Sequence, residues 1–545
     1  MPTALLISFG GYPATPSSLT PDNGLANLAG ALVEEGYDVR ILDFGTVSGM
    51  RRLFPQEVTA QLRERGPELM AGSGQPSEDQ IAQLRALDSI VEAHQAGQVR
   101  AIAEEVAGEV RALKPDLVGM KLWNGDGFTG SVTIAEHLRE QFPDLPIHAG
   151  GPQCSWFGEA IYRRTRAFTS LTHGEGEQVI RELAAHARGE RDLSLIPGLI
   201  FMDGRLVRTS PPAEGLEMDS LPEPVYDEAV YPAMAGNEKI KIIVLDDSRG
   251  CPYHCAFCMH PIESGRRLRT ASAGLLVDRM QQIMARHRIT AFRFSGSSTP
   301  GELMAEVADE ILRRQLQVTY TCFGHFRSAR PDHFEVMARS GLHAIFFGIE
   351  SGCQSVLERA VGRKVDLRTV KQTVQAAQAA GIFVVASMIV PLPFDTEQTI
   401  AQSLQFLLDV RPDSVPVQFP GVIPPTPWGR DPERYGFELD PDELNMVGMQ
   451  YKIKLLFPPS MWEPAPYRLS GMDFRQFTAL TMSFAAQLEQ AGILVGVPDD
   501  NALIARCAGM SARQMRDLSR LWCTIGDADA MGEMVARANV AIVGG

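Results

Sequence analysis

The residues best suited to chemistry are three cysteines close together near the middle of the chain. Cys251, Cys255 and Cys258 have C-x3-C-x2-C spacing within residues 248–261, SRGCPYHCAFCMHP, after a strand-like run at 239–245. Soft thiolates suit iron–sulfur clusters, and a four-iron cube usually takes four of them. Three thiolates from one loop leave one iron open to a small chelating molecule. We predict that Cys251, Cys255 and Cys258 hold such a cluster.

Two plainer interpretations of these cysteines stay open. A zinc site more typically has paired C-x2-C units or a histidine at ligand spacing. Three unrelated core cysteines rarely fall within eight positions of a loop that contains proline and glycine. Both account for the spacing less well than an iron–sulfur cluster does.

The cysteine loop resembles the signature of radical SAM enzymes. The aromatic Phe257 stands before the third cysteine, and Arg249-Gly250 precedes the first. The resemblance implies that the open iron binds S-adenosylmethionine and that the reduced cluster cleaves it to methionine and a 5'-deoxyadenosyl radical. In such an enzyme the cofactors do the chemistry, while the protein fixes distances and excludes water.

The elements around the loop predict an α/β fold with a partial (β/α)6 barrel over residues 237–425. Strand-like and helical runs alternate there, so functional residues are expected just past the strand ends. The resemblance implies S-adenosylmethionine contacts there, from Phe257, Ser295, Gly296, Ser297, Glu350 and Ser387. Many relatives carry Gly-Gly-Glu where this chain has residues 295–299, SGSST, a turn that could equally cap the next helix. Candidates to face substrate are Cys322, His325 and Gln418.

Residues 1–195 predict a doubly wound, Rossmann-like parallel sheet. Continuous apolar strands alternate with helices, and glycine-rich turns end the strands, where such sheets bind ligands. The first turn lacks the G-x-G-x-x-G of dinucleotide sites. The region resembles the cobalamin-binding domain of one large radical SAM branch. The implied cobalamin contacts are Gly10, Gly11, Tyr12, Trp123, Asn124, Gly150, Gly151, Pro152, Gly174, Glu175 and Gly176.

A histidine ligand to cobalt is not indicated, because D-x-H-x-x-G is missing from the sequence. The nearest run, residues 92–97, EAHQAG, has the wrong acid and lies in a helical stretch. The branch commonly binds cobalamin without such a histidine. Trp123 is then a candidate for the lower cobalt face, with an ordinary core position as its alternative. Another alternative is that this domain keeps the sheet but no longer binds a cofactor.

The remaining segments are a connector and a C-terminal region. Residues 196–236 predict a linker with a hairpin around Asp203-Gly204, followed by several prolines. Residues 426–545 predict a small, mainly helical region that covers the open side of the barrel over the substrate. No motif in that region identifies the substrate.

Composition limits the partners. The 545 residues carry a net charge of -15, which does not favour nucleic acid or an anionic membrane. No apolar run approaches the ~20 residues that span a bilayer. Eight cysteines do not suggest a disulfide framework, and residues 1–11 lack the pattern of a secretion signal. We expect a cytoplasmic monomer that receives electrons from an external donor such as flavodoxin or ferredoxin.

The resemblance implies a C-methyltransferase that moves a methyl group from methylcobalamin to a small metabolite or natural-product intermediate. Three alternatives remain. The same cofactors could serve cyclisation, oxidation or ring rearrangement without methyl transfer, or the chain could be a radical SAM enzyme without cobalamin. From another class, it could be a non-catalytic iron–sulfur binding or redox-sensing protein.

Overall fold

A computed structural model of the chain describes residues 1–70, 77–296 and 298–544. Two α/β units follow one another, joined by an extended connector. The predicted fold class, a Rossmann-like sheet followed by a partial barrel and a largely helical C-terminal region, is confirmed.

The first unit is a sheet with helices on both faces. In the described residues its strand order is β2-β1-β3-β4-β5-β6-β7, with β1 to β5 parallel. The strands are β1 (Thr3–Ser8), β2 (Asp38–Asp43), β3 (Leu117–Lys121), β4 (Ile147–Gly150), β5 (Ser170–Thr172), β6 (Leu199–Asp203) and β7 (Leu206–Thr209). The helices are α1 (Asn23–Glu34), α2 (Val47–Leu53), α3 (Gln56–Met70), α4 (Glu78–Leu113), α5 (Asp126–Gln141), α6 (Pro152–Phe157), α7 (Ile161–Arg164) and α8 (Glu177–Ala187).

Local sequence explains how these elements begin and pack. The β1 residues from Ala4 to Ser8 are all buried, as expected for a central parallel strand covered on both faces. Helix α1 begins after Asp22, whose carboxylate accepts a hydrogen bond from the Leu25 amide at 3.2 Å. The hairpin expected in the connector pairs antiparallel with β5 and so extends the first sheet.

The second unit is the partial barrel. Among the described residues its strands run in the order β8-β11-β12-β13-β14-β15-β19, all parallel, and β16 also pairs with β14. Its strands are β8 (Ile243–Leu245), β11 (Ala291–Phe294), β12 (Thr319–Gly324), β13 (Leu342–Glu350), β14 (Phe383–Ile389), β15 (Ser414–Val415), β16 (Val417–Gln418) and β19 (Leu494–Val495). Two antiparallel ribbons pair β9 (Ser248–Arg249) with β10 (Arg269–Thr270), and β17 (Phe437–Leu439) with β18 (Tyr467–Leu469).

Helices surround this barrel and continue beyond it. Those of the central region are α9 (His260–Glu263), α10 (Ala273–His287), α11 (Gly301–Arg313), α12 (Phe334–Arg339), α13 (Gln354–Val356), α14 (Leu367–Ala379) and α15 (Glu397–Val410). Those further along are α16 (Pro427–Arg430), α17 (Pro441–Gly448), α18 (Phe474–Gln490), α19 (Asp499–Cys507), α20 (Ala512–Ile525) and α21 (Ala528–Val543).

The C-terminal region contributes directly to the barrel, which differs from the covering role expected for it. Strand β19 pairs with β15, so the sheet continues past its sixth strand. The next helix, α19, begins at Asp499, whose fully buried carboxylate accepts two hydrogen bonds from Arg293 of β11, both at 2.9 Å. The last strand and the carboxylate of this ion pair therefore come from the C-terminal region.

Candidate functional site

The three cysteines lie on a loop after β9 that is fixed by backbone contacts. Gly250 has a φ of +78°, and a Cβ there would lie 2.2 Å from the Arg267 carbonyl oxygen, so only glycine fits. The Cys251 amide donates to the Gly265 carbonyl at 3.1 Å, and the Ala256 amide donates to the Val361 carbonyl at 2.9 Å. All three thiols are free.

The arrangement of the thiols bears on which metal group fits. Across the described residues, no three His, Cys, Asp or Glu side chains converge closely enough to bind one metal ion. A mononuclear zinc site requires such convergence. The cysteines of a four-iron cube each bind a different iron and need to stand further apart. Among the described residues the loop therefore presents no preformed site for a single metal ion.

Arg363 supplies positive charge beside the loop, and no local sequence pattern indicated this role. Its guanidinium donates to the Cys255 Sγ at 3.3 Å and lies 3.4 Å from a carboxylate oxygen of Glu350, and it also donates to the Gly348 carbonyl. The arginine follows a π-helical turn, Leu357–Val361, that ends at Gly362. A buried cation at this point favours thiolates and any negatively charged cluster that they hold.

Glu350 and Ser387, both predicted S-adenosylmethionine contacts, meet at the ends of neighbouring strands. The Ser387 hydroxyl donates to the Glu350 carboxylate at 3.3 Å, and Glu350 is only 6% exposed. Burial raises the pKa of Glu350, although Arg363 and Ser387 act in the opposite direction. The two residues form a polar patch on the Arg363 side of the cysteine loop.

The turn after β11 holds the other residues predicted to contact S-adenosylmethionine. The Ser295 hydroxyl donates to Asp246 at 3.3 Å, and the Gly296 amide donates to Asp247 at 2.6 Å. A Cβ at Gly296 would lie 2.1 Å from the Ser248 hydroxyl, so the turn packs tightly against the residues before the cysteines. Burial raises the pKa of Asp247 to about 6. Ser297 lies outside the described residues.

Aromatic side chains pack on both sides of the loop. Phe257 lies against Trp428, with ring centroids 5.6 Å apart, and the Trp428 indole donates to the Ala360 carbonyl at 3.0 Å. Tyr253 stacks on His325 at 3.7 Å. Burial lowers the pKa of His325 to about 3, so its ring is neutral, and its Nε2 has no partner among the described residues.

The three predicted substrate residues lie in different surroundings. His325 follows β12 and stacks on the cysteine loop, as described above. Cys322 is fully buried within β12, and Gln418 is exposed at the end of β16. Of the three, His325 is the one that stacks on a residue of the cysteine loop, Tyr253.

The carboxyl end of the first sheet carries a separate cavity of about 170 Å³ between the strands and helices α1 and α8. His148 of β4 lines it, is 2% exposed, and accepts or donates through Nδ1 to the Ser170 hydroxyl at 2.8 Å. Its Nε2 has no partner among the described residues. We refer to this space as the sheet cavity. Its glycines are Gly24, Gly119, Gly150, Gly151, Gly174 and Gly176.

The predicted cobalamin contacts divide between this cavity and a neighbouring one. Gly150, Gly151, Gly174 and Gly176 line the sheet cavity, and Pro152 begins α6 beside it. A larger cavity of about 410 Å³ lies between the first unit and the inner face of β8 and β11. Its lining includes Gly10, Gly11, Tyr12 and Trp123.

Trp123 lies between this larger cavity and an adjoining one that Asn124 also lines. The Trp123 indole donates to the Ser8 hydroxyl at 3.1 Å, and the Lys121 ammonium lies 4.2 Å from the centre of the ring. Lys121 also pairs with the buried Asp22 at 2.9 Å. The ring is thus held by polar contacts and still borders open space.

Comparison with known proteins shows which families this chain is similar to. The model of the radical SAM superfamily matches residues 246–407, which contain the cysteine loop and Glu350. An uncharacterized methyltransferase of Pyrococcus horikoshii is 23% identical over 325 residues, 58% of this chain and 70% of the relative. The anaerobic magnesium-protoporphyrin IX monomethyl ester cyclase of Rubrivivax gelatinosus is 23% identical over 57% of each chain. The cobalamin-dependent radical SAM methyltransferase TokK of Streptomyces tokunonensis is 24% identical over 61% of this chain and 51% of the relative.

A solved structure extends the likeness to nearly the whole chain. The radical S-adenosylmethionine methyltransferase TsrM of Kitasatospora setae superposes with a TM-score of 0.64 at 16% identity, covering 97% of this chain and 100% of that one. Residues 246–407 thus match a radical SAM domain. Over its length the chain has the same fold as that structure, with a Rossmann-like unit followed by a barrel.

Proposed function

We propose that this chain is a cobalamin-dependent radical SAM methyltransferase that methylates a carbon of a small metabolite or natural-product intermediate. The observation that carries the proposal is the placement of the two candidate cofactor sites. The cysteine loop packs directly against the carboxyl end of the first sheet, where Arg249 pairs with Glu177 at 2.7 Å. A carrier bound at that sheet would lie next to the cluster, as methyl transfer to a shared substrate requires.

The residues present fit both groups. Three free thiols on one loop, with the cation of Arg363 at 3.3 Å from Cys255, suit an anionic iron–sulfur cluster. The sheet cavity has a glycine-rich wall and the buried His148 Nε2, which has no partner among the described residues, and it suits a flat part of the cofactor with one polar edge. When bound, the cluster and S-adenosylmethionine supply reductive carbon–sulfur cleavage, and cobalamin supplies a methyl carrier.

The side chains hold and orient these groups. Cys251, Cys255 and Cys258 bind the cluster. Glu350 and Ser387 accept from or donate to the polar groups of S-adenosylmethionine, and Arg363 neutralises negative charge beside Cys255. Ser295 and Gly296 lie on the turn after β11, and Ser295 lines the cavity of about 410 Å³ between the two units. The cavity of about 410 Å³ between the two units is our candidate for the substrate, because it joins the first sheet to the inside of the barrel.

The lining of that cavity suits a polar small molecule. It carries paired charges from Lys121 with Asp22, Lys239 with Asp43, and Arg293 with Asp500. Paired charges can rearrange to meet a substrate with ionised groups, whereas a purely apolar wall could not.

Among the described residues no helix is both long and apolar enough to cross a bilayer. We further propose a cytoplasmic monomer that draws electrons from a flavodoxin or a ferredoxin.

Anaerobic reconstitution tests the proposal. The loaded protein should contain four irons and one cobalamin for each chain, and should release 5'-deoxyadenosine with S-adenosylmethionine and a strong reductant. If the protein contains iron and releases 5'-deoxyadenosine but shows no cobalamin spectrum, it is a radical SAM enzyme that does not use cobalamin. A cluster that never cleaves S-adenosylmethionine would support a binding or redox-sensing protein instead.

A second candidate is ring formation without methyl transfer. The match to the Rubrivivax cyclase covers 57% of this chain, close to the 58% and 61% covered by two methyltransferases. This similar coverage favours retaining ring formation as a candidate. Product mass separates the two, because methylation adds the mass of one methylene group and cyclisation does not. The assay should use S-adenosylmethionine with a labelled methyl group, because label in the product is direct evidence of methyl transfer.

A further inference from the structure

The turn after β5 carries two glutamates that point to the barrel rather than into the sheet cavity alone. Glu177 binds Arg249 through both carboxylate oxygens, at 2.7 and 2.9 Å. Glu175 accepts from Arg269 at 3.1 Å and from Arg249 at 3.4 Å. Asp246 completes the group, 2.8 Å from Arg249. We call these five residues the interdomain clamp.

Both arginines of the clamp border the cysteine loop. Arg249 is two residues before Cys251, and Arg269 is its partner in the ribbon of β9 and β10. The ribbon therefore encloses the whole loop between its two strands. Arg269 is further held by the carbonyl oxygens of Leu216 and Ser264. A movement of either arginine would be passed directly to the cysteine loop.

The clamp is buried, so its charges depend on each other. Arg249 and Arg269 have side chains 14% and 4% exposed, and Glu177 is 7% exposed. Removing one partner of a buried ion pair is costly because the other charge is left unpaired. The glutamates must therefore keep their positions if the arginines are to keep theirs.

The same turn forms part of the sheet cavity. Gly174, Gly176 and Glu177 are among its lining residues. Gly174 has a φ of +85°, and a Cβ there would lie 3.2 Å from the Glu263 carbonyl oxygen, which belongs to the helix after the cysteines. Trp156 of α6, the helix after β4, donates to the Glu263 carboxylate at 2.9 Å. One wall of the cavity is thus also the surface on which the cysteine loop rests.

We infer that Glu175 and Glu177 are positioning residues that couple occupancy of the sheet cavity to the conformation of the cysteine loop. A ligand that fills the cavity restrains the turn at residues 174–177, and the clamp passes that restraint to Arg249 and Arg269. Because such coupling is reciprocal for binding, a loaded cluster should also favour the ligand. The inference rests on the proposed function, since it takes cobalamin as the ligand.

Hydrogen exchange of the full chain with its cluster in place tests the coupling. Hydroxocobalamin should slow exchange both in peptides covering residues 147–151, at the cavity, and in peptides covering 248–270, at the loop. We expect about fivefold slowing at the loop in the wild-type protein, the lower end of typical coupling between sites. In the Arg249→Gln/Arg269→Gln variant, which breaks the clamp from the barrel side and leaves the cavity lining intact, the cavity peptides should still be protected, and the loop peptides should not.

Controls separate coupling from general loosening. Arg63→Gln removes another ion pair between distant parts of the chain, Arg63 with Asp527 at 2.5 Å, and should keep protection at both places. If the double variant folds poorly, Arg269→Lys keeps the charge, loses the two-pronged contact, and should reduce protection at the loop alone. Iron content is measured for every variant.

The outcomes are distinct. Protection at the cavity with equal loop protection in the wild type and the double variant overturns the coupling, as does protection at the cavity with none at the loop in the wild type. Both results leave the proposed function standing. If saturating hydroxocobalamin protects neither place in the wild type, the cobalamin proposal fails and the coupling fails with it.

Discussion

The sheet cavity and the cysteine loop are held by different means. The cavity is shaped by backbone, with glycines at the strand ends and the His148 Nε2, which lacks a partner within the part of the chain that the structure describes. The loop is held by charge, with Arg249 and Arg269 bound to the first unit and Arg363 beside Cys255. A backbone cavity tolerates few added atoms, whereas a charged loop tolerates few lost partners. Substitutions that add atoms should therefore be the damaging ones at the cavity, and substitutions that remove a charged partner should be the damaging ones at the loop.

The largest effect should come from Cys255→Ala. Removing one of three thiolates leaves the cluster without a ligand for one iron, so the variant should lose its cluster and should release no 5'-deoxyadenosine. Iron analysis and product chromatography measure both. Cys507→Ala, a buried cysteine of α19, is the matched control and should retain both properties. Reductive cleavage by the Cys255 variant would contradict the proposed role of the loop.

Arg363→Met should be the next most severe. It removes the cation beside Cys255 and leaves the buried Glu350 without its charged partner. We expect the free energy of unfolding to fall by about 3 kcal/mol, as for other broken buried pairs. Denaturant titration of the cluster-free protein measures it. Arg327→Met, at an exposed arginine near Tyr253, should change stability little, and an equal loss in both variants would show that the pair is unimportant.

Gly150→Val tests the opposite case, in which added atoms matter. The new Cβ has ordinary room, with Thr172 at 3.8 Å, but the side chain would enter the sheet cavity. We expect cobalamin affinity to fall at least about tenfold, with iron content unchanged. Absorbance titration measures the affinity. Gly97→Val, in open space on α4, serves as the control, and unchanged cobalamin binding in Gly150→Val would place the cofactor elsewhere.

The effect that is smallest at neutral pH, and that grows only in acid, concerns the titration of His148. Burial lowers the pKa of His148 to about 3, so the folded protein keeps this ring neutral while the unfolded chain takes up a proton below its ordinary value of 6.5. Acid should therefore destabilise the fold between pH 6.5 and about 3, by up to about 1.4 kcal/mol per pH unit from this group. His148→Phe should reduce that slope, measured by denaturant titration at several pH values. Phe128→Leu should lower stability without changing the slope, and an unchanged slope in His148→Phe would contradict the assignment.

Local patterns predicted much of this architecture. The cysteine spacing and the alternation of strands and helices carry their information within short stretches, and Glu350 follows a recognisable strand end. Arg363 was not predictable, because its contact with Cys255 joins residues 108 positions apart. The turn at 174–177 was predicted to lie near a ligand from its glycines, but nothing local indicated that its glutamates bind arginines of the barrel. Strand β19 has two residues, too few for a periodic pattern.

Strand β19 also bears on the order in which the chain can fold. During synthesis the central strands emerge long before residues 494–499. Until those residues are made, the outer edge of β15 is unpaired and Arg293 lacks the carboxylate of Asp499. Exposed edges of this kind invite pairing with other chains. The nascent barrel should therefore depend on chaperones or on rapid completion of translation, and ribosome-stalled fragments that end near residue 490 should aggregate.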